Sequence, residues 1–248
     1  MLKVRVIPTL LHKSFGLVKG TRFDSRRAVG SPMQAIKVYN LRNVDELAFL
    51  DVTATAEGRG PDFDLIDELA DECFMPLAVG GGIRTLDDVR RLLAVGADKV
   101  IIGTAALDEP DLVREASDRF GAQCVVVSVD TRRDGTVWTR SGTQPTGRDA
   151  VEVAGEMERL GAGEILLQSI DDDGVMEGYD VDVIARVSAT VSIPVIASGG
   201  AGNFGHMVEA LTAGGASAVA AASIFHFTEQ TPMEAKQAIG AAGFPVRV

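Results

Sequence analysis

Cysteine is scarce: Cys73 and Cys124 are the only two in 248 residues. Two thiols cannot build the disulfide framework of a small secreted scaffold, and they lack metal-ligand spacing. Each reads as a small buried hydrophobe. Histidine is equally thin, limited to His12, His206 and His226. No HExxH or Ser-His-Asp arrangement appears, so no metal ion, other cofactor or acyl-enzyme chemistry is expected. Positive charge is outnumbered, 24 Lys and Arg against 35 Asp and Glu, for a net charge of −11. That balance argues against nucleic acid or an anionic membrane as a partner. A local basic pocket for one phosphate is still compatible with it. No apolar run approaches the ~18 residues of a membrane span, and Met1–Arg5 does not open a signal peptide. A soluble, acidic, cytoplasmic protein is expected.

What the chain has is alternation. Short apolar, β-branched runs predict strands at Val4–Leu10, Glu46–Val52, Leu77–Gly80, Lys99–Ile102, Cys124–Val129, Glu164–Ser169, Pro194–Ala197 and Ala218–Ala222. Helical patterns lie between them, as in Thr85–Val95, where Leu86, Val89, Leu92 and Leu93 share one face. Asp108–Phe120, Asp149–Leu160 and Phe204–Thr212 read the same way. Strands apolar throughout, such as VVVSV, fit a parallel sheet buried on both faces. Eight strand–helix units in this length predict an α/β fold, a (β/α)8 TIM barrel, with an open doubly wound sheet as the weaker alternative.

The chain also repeats itself. VGGGIRTLDDVRRLLAVGADKVIIGTAAL (79–107) parallels ASGGAGNFGHMVEALTAGGASAVAAASIF (197–225), and DELAFLDVTA (45–54) parallels GEILLQSIDD (163–172). RVIPTLL (5–11) parallels CVVVSVD (124–130), and each pair lies about 118 residues apart. Two similar half-barrels, approximately 1–120 and 121–248, explain this within one domain spanning 1–248. The polar, Gly-rich stretch 132–147 predicts a hairpin or flap after the fifth strand.

In such barrels the site lies where the C-terminal strand ends converge. Gly80-Gly81-Gly82 and Gly199-Gly200-Ala201-Gly202 end strands in equivalent halves, and Gly103-Thr104-Ala105 and Ala222-Ser223 end the strands that follow. Each cluster precedes a helix, so backbone N–H groups can face an anion. Two clusters related by the barrel's twofold suggest a substrate phosphorylated at both ends. The plainer alternative is that these glycines only permit tight turns. Carboxylates at strand ends, Asp51, Asp130, Asp171 and Asp173, are candidates for acid–base work in a narrow mouth, or for helix caps. His12 is expected in the first loop, facing the mouth; His206 and His226 fit packing or surface roles.

VIPTLL, LVKGTRF, VDELAFLDVTA, VGGGIRTL, GADKVIIGTAAL, GAGEILLQSIDDDGVMEGYD, VIASGGAGN and AASIFHF together make the chain resemble, over essentially its full length, the HisF cyclase subunits of imidazole glycerol phosphate synthase. The resemblance implies a glutaminase (HisH-like) partner at the bottom of the barrel and ammonia passing through its interior. At the top, ammonia would attack a two-phosphate ribulosyl-carboxamide nucleotide, giving imidazole glycerol phosphate and an aminoimidazole carboxamide ribotide. It further implies an ammonia gate of Arg5, Glu46, Lys99 and Glu164, and a partner contact at Asp98. Lys19, in a flexible first loop, would help close over substrate. Phosphate would be held by Gly81, Gly82, Gly103 and Thr104 on one side and by Gly174, Gly200, Ala222 and Ser223 on the other. Asp130 matches one of two catalytic aspartates.

The other catalytic aspartate is replaced by Leu11, which can neither give nor take a proton. Gly103 stands where the family has asparagine, and Ala78 and Ile101 stand where it has hydroxyls near the ammonia exit. The opening LLHKSFGLVK is similar to HisF-like paralogues that work with a glutaminase and a separate amidotransferase on sugars for surface polysaccharides. The expectation from sequence is therefore such a paralogue, lending ammonia to a phosphorylated sugar or nucleotide-sugar acceptor. The alternative is the histidine-pathway cyclase itself, with His12 or a water in place of the lost carboxylate. A non-catalytic phosphate-binding scaffold is the third reading.

Overall fold

In a strand, side chains alternate faces, and here one strand shows the rule that shapes the molecule. Along β1 (Arg5–Lys13), Val6 and Leu10 pack outward among the helices, whereas Ile7 packs inward with residues of other strands. A computed structural model describes residues 3–14 and 16–247, with the side chains of residues 25 and 26 outside that description. Expectations touching Met1, Leu2, Phe15 and Val248 lie outside the described residues.

Eight parallel strands close into a barrel: β1, β4 (Leu47–Asp51), β5 (Leu77–Gly80), β6 (Lys99–Ile102), β7 (Val125–Thr131), β10 (Glu164–Ser169), β11 (Val195–Ser198) and β12 (Ala218–Ala221). β7 pairs with β10 and β12 with β1, so no barrel strand is left at an edge. The chain is thus a (β/α)8 barrel. Two antiparallel hairpins rise from it. One is β2 (Gly16–Thr21) with β3 (Asp24–Gly30), continuing β1; the other is β8 (Thr136–Thr139) with β9 (Gln144–Asp149), continuing β7. The second occupies the stretch expected to form a flap. Among the described residues no helix is long and apolar enough to cross a membrane.

The helices start where the sequence supplies caps. α3 (Leu86–Ala94) opens on a capping box between Thr85 and Asp88 and buries Val89 and Leu92 against the barrel. Asp149 caps α6 (Ala150–Arg159), and Asn203 caps α8 (Phe204–Thr212). The helix expected over Asp108–Phe120 starts three residues later, as α5 (Asp111–Phe120), and a short helix, α4 (Thr104–Asp108), precedes it. Pro110 separates them, because proline disfavours helical backbone at the residue before it and lacks an N–H. β1 also runs past its expected end at Leu10, to Lys13.

α10 (Pro232–Ala241) closes the barrel through a fully buried lysine. Lys236 Nζ donates to Asn43 O at 2.6 Å, Asp45 Oδ1 at 2.8 Å and Arg247 O at 2.9 Å, so all three ammonium protons are used. Asp45 Oδ2 accepts from Val6 N at 3.1 Å, tying the pair to β1. Removing one member of a buried pair strands the other charge. Lys236→Met is therefore expected to lose about 3–5 kcal/mol in urea denaturation; a loss under about 1 kcal/mol would show that the pair does not hold the closure.

Candidate active site

The barrel base holds a closed ring of charge. Arg5 Nη1 lies 2.6 Å from Glu46 Oε2 and 3.1 Å from Glu164, while Lys99 Nζ lies 2.8 Å from Glu46 and 3.0 Å from Glu164. Each cation touches both anions. Burial lowers the affinity of Arg5 for its proton, but Glu46 and Glu164 outweigh that and hold its pKa above the ordinary value. Asp98 sits beside this ring on the base, exposed, with Oδ2 accepting from Leu77 N at 2.8 Å.

Above the ring the interior is apolar. Ile7, Ala48, Ala78, Ile101, Val126, Leu166, Ile196, Ala218 and Ala220 form one buried cluster inside the barrel, separate from the larger core under the helices. At the top, a cavity of about 440 Å³ is lined by Leu11, Asp130, Ser128, Gln168 and Asp173 together with Gly81, Gly82, Gly103 and Thr104. A smaller cavity, about 30 Å³, is walled by Thr9, Leu11, Gln168, Asp173 and Ser198, with Gly174, Gly200, Ala222 and Ser223. The two expected glycine cradles thus flank one mouth, and Leu11 borders both. Gly82 has φ +73°, and a side chain there would press on the Arg59 carbonyl. The loop's close approach therefore needs glycine.

Asp130 is half-buried, accepts from Ser128 Oγ at 2.9 Å, and has its pKa pushed up to about 6. Burial is the main cause; Asp173 adds to it, and the Ser128 bond opposes it. Lys19 differs from expectation. It belongs to the ordered strand β2, buried, with Nζ donating to Thr9 O at 3.2 Å. Burial brings its pKa down to about 7 against the pull of Asp173. The hairpin carrying it is fastened across the mouth by Arg22 N on Asp173 O (2.8 Å). From the other side, the β8–β9 hairpin reaches in with Arg140 N on Thr104 Oγ1 (2.9 Å) and Ser141 Oγ on Val52 O (3.1 Å).

His12 departs from its expected place. Because β1 extends to Lys13, His12 falls on the outer face of the strand, buried, its ring centroid 5.3 Å from that of Phe49. It lines neither cavity, so it cannot replace a carboxylate at the mouth. Burial lowers its pKa, with Asp51 opposing. Asp51 lines the larger cavity but is engaged in accepting from Thr53 N, Ala54 N and Arg59, which holds the loop after β4. Asp171 pairs with Arg132 at 2.5 Å, while Asp173 lines the mouth together with Asp51 and Asp130. His206 braces the start of α8, where Nδ1 accepts from Gly202 N at 3.2 Å, and His226 is pushed down to about 4 by burial and Lys19. Ser128, Gln168 and Thr9 were not singled out from sequence. Each lies two residues before a position that was, or on the strand beside it, and period-2 counting puts it on the same inward face.

The chain matches the family model described as "Histidine biosynthesis protein" over residues 5–231. It is also similar to the imidazole glycerol phosphate synthase subunit HisF of two strains of Caulobacter vibrioides. Each is 51% identical over 253 aligned residues, covering 100% of this chain and 97% of the relative.

The raised carboxyl gives a stability signature. With a folded pKa of about 6 against an ordinary 3.8, Asp130 keeps in the folded state a proton that the unfolded chain releases. Its penalty is absent below pH 4 and grows as pH rises through 6. Asp130→Asn should therefore match the native protein near pH 4 and exceed it by on the order of 3 kcal/mol at pH 7. Urea denaturation across that range checks this; a difference independent of pH would contradict the half-buried, ionising carboxyl.

Proposed function

The chain belongs to the histidine biosynthesis protein family and is HisF-like over its full length, and on that premise we propose that it is the cyclase subunit of an imidazole glycerol phosphate synthase. The observation that carries the reading is vertical: a closed ring of two cations and two carboxylates beneath an apolar interior that opens into a mouth with two glycine cradles. A charged ring in a barrel base is costly unless its members satisfy one another. Once satisfied, it can part for a small neutral molecule, while the apolar layer above excludes ions. Ammonia released by a glutaminase docked on the base fits that path, with Asp98 on the docking face.

At the mouth the cradles would hold the two phosphates of a ribulosyl-carboxamide nucleotide across the barrel. Lys19, buried, and Asp130, half-buried, are the groups placed to move protons there, because desolvation brings both toward neutral pH. Asp173, which like Leu11 borders both cavities, is the candidate among the mouth carboxylates for the role Leu11 cannot play. The docked hairpins would keep water from the reacting carbons.

A second reading rests on Leu11 itself. Its side chain borders both cavities at the position equivalent to Asp130 by the internal repeat. A barrel that supplies ammonia to a sugar acceptor on a separate amidotransferase would have no need of an acid there.

The gate gives the test. With a glutaminase partner present, Lys99→Leu should cut product formed per glutamine hydrolysed by roughly tenfold, while leaving turnover on ammonium salts within about twofold of native. Equal losses with both nitrogen sources would count against a conduit.

A further inference from the structure

One strand writes the whole path from base to mouth. Along β1 the inward positions are Arg5 in the charged ring, Ile7 in the apolar layer, Thr9, and Leu11 at the mouth. Thr9 is thus the first side chain on this strand above the apolar layer that can make a hydrogen bond. Its residue is 5% exposed, and among the described residues its Oγ1 has no hydrogen-bond partner. The backbone carbonyl of the same residue is occupied by Lys19 Nζ.

The hydroxyl borders the cavity of about 30 Å³, whose wall carries Gln168, Ser198 and Asp173 and is shared with the glycine cradle of Gly174 and Gly200. Gln168 and Ser198 are in register on β10 and β11. Neighbouring polar groups at this level are already engaged: Ser128 Oγ donates to Asp130, and Gln168 Nε2 donates to Ser169 O at 3.3 Å. Buried hydroxyls are nearly always partnered, so one that is not, on a cavity wall, is shaped for a ligand. The volume suits a single molecule of water's size that finds polar partners.

We infer that Thr9 is the receiving station for ammonia: its hydroxyl, with Gln168 and Ser198 on the same wall, takes the molecule that has crossed the apolar layer and holds it beneath the substrate. The inference rests on the proposed function for the identity of the molecule. The chemistry is specific to a small neutral species. Ile7, Ile196, Ala218 and Ala220 below offer no hydrogen bond and disfavour an ion. Ammonia arriving there has left its water partners behind, and a threonine hydroxyl can both donate to its lone pair and accept one of its protons.

The test replaces the hydroxyl while keeping the shape. In ammonium-driven assays, Thr9→Val should raise KM for ammonia by about five- to tenfold, the worth of one ordinary hydrogen bond. KM for the ribulosyl-carboxamide substrate should stay near native, and Thr9→Ser should restore the native KM for ammonia. A rise in KM for the phosphorylated substrate with KM for ammonia unchanged would overturn the inference and assign Thr9 to the phosphate cradle. A fall in kcat alone, shared by Thr9→Ser, would also overturn it. Diffraction from native crystals grown in ammonium buffer gives an arm independent of turnover. One ordered peak within hydrogen-bond distance of Thr9 Oγ1, absent in Thr9→Val, is expected; a hydroxyl bonded only to protein would refute the site. If the native protein turns over no substrate, the proposed function fails, and the diffraction arm still decides the Thr9 site.

Discussion

Charge inside a barrel base has to be mutual, and the rest of the molecule is arranged around that constraint. Arg5 and Lys99 each reach both Glu46 and Glu164, so no member of the ring is left with an unpaired neighbour. Three strands and the residue just before β4 supply those four side chains, which makes the ring sensitive to the register of the barrel. The Lys236–Asp45 pair secures that register from outside, because Asp45 adjoins Glu46 and bonds the backbone of Val6, next to Arg5. A buried ion pair is weak evidence for stability. Here its placement, directly behind two members of the charged ring, gives it a positional role.

The mouth is built on the same twofold as the sequence repeat, and it breaks that symmetry at one point. Gly82 with Thr104 and Gly200 with Ser223 balance each other across the barrel. Asp130 has no such counterpart, since Leu11 occupies the equivalent place. The apolar side chain adds to the low-polarity surroundings that hold a proton on Asp130 up to about pH 6 and bring Lys19 down to about 7. On the proposed function, proton transfer near neutral pH would fall to Lys19 and Asp130, the two mouth groups that burial brings toward that range.

The barrel was legible because its signals are periodic. Strands buried on both faces, helical spacing such as that of Leu86, Val89, Leu92 and Leu93, and the half-barrel repeat all point to one architecture. What was not legible depended on where elements end. Taking the first strand to stop at Leu10 left His12 in a loop facing the mouth. The strand continues to Lys13, and alternation then turns His12 outward onto Phe49. Counting by twos from Arg5 through Ile7 and Thr9 to Leu11 would have shown it. Lys19 read as a loop residue because its short Gly-flanked run finds its partners only through the hairpin and through Arg22, whose contact on Asp173 lies far along the chain. The later start of α5 was marked by Pro110, but the helical pattern counted from Asp108 ran over it.

The central claim is that this mouth, with Leu11 in place, still performs the cyclase reaction. The direct measurement is turnover of the ribulosyl-carboxamide nucleotide with ammonium as the nitrogen source, native protein beside Leu11→Asp. The account predicts turnover by the native protein, with Leu11→Asp changing its rate rather than creating it. A native protein without turnover, and activity appearing only in Leu11→Asp, would contradict the account and leave a barrel that passes ammonia to another acceptor.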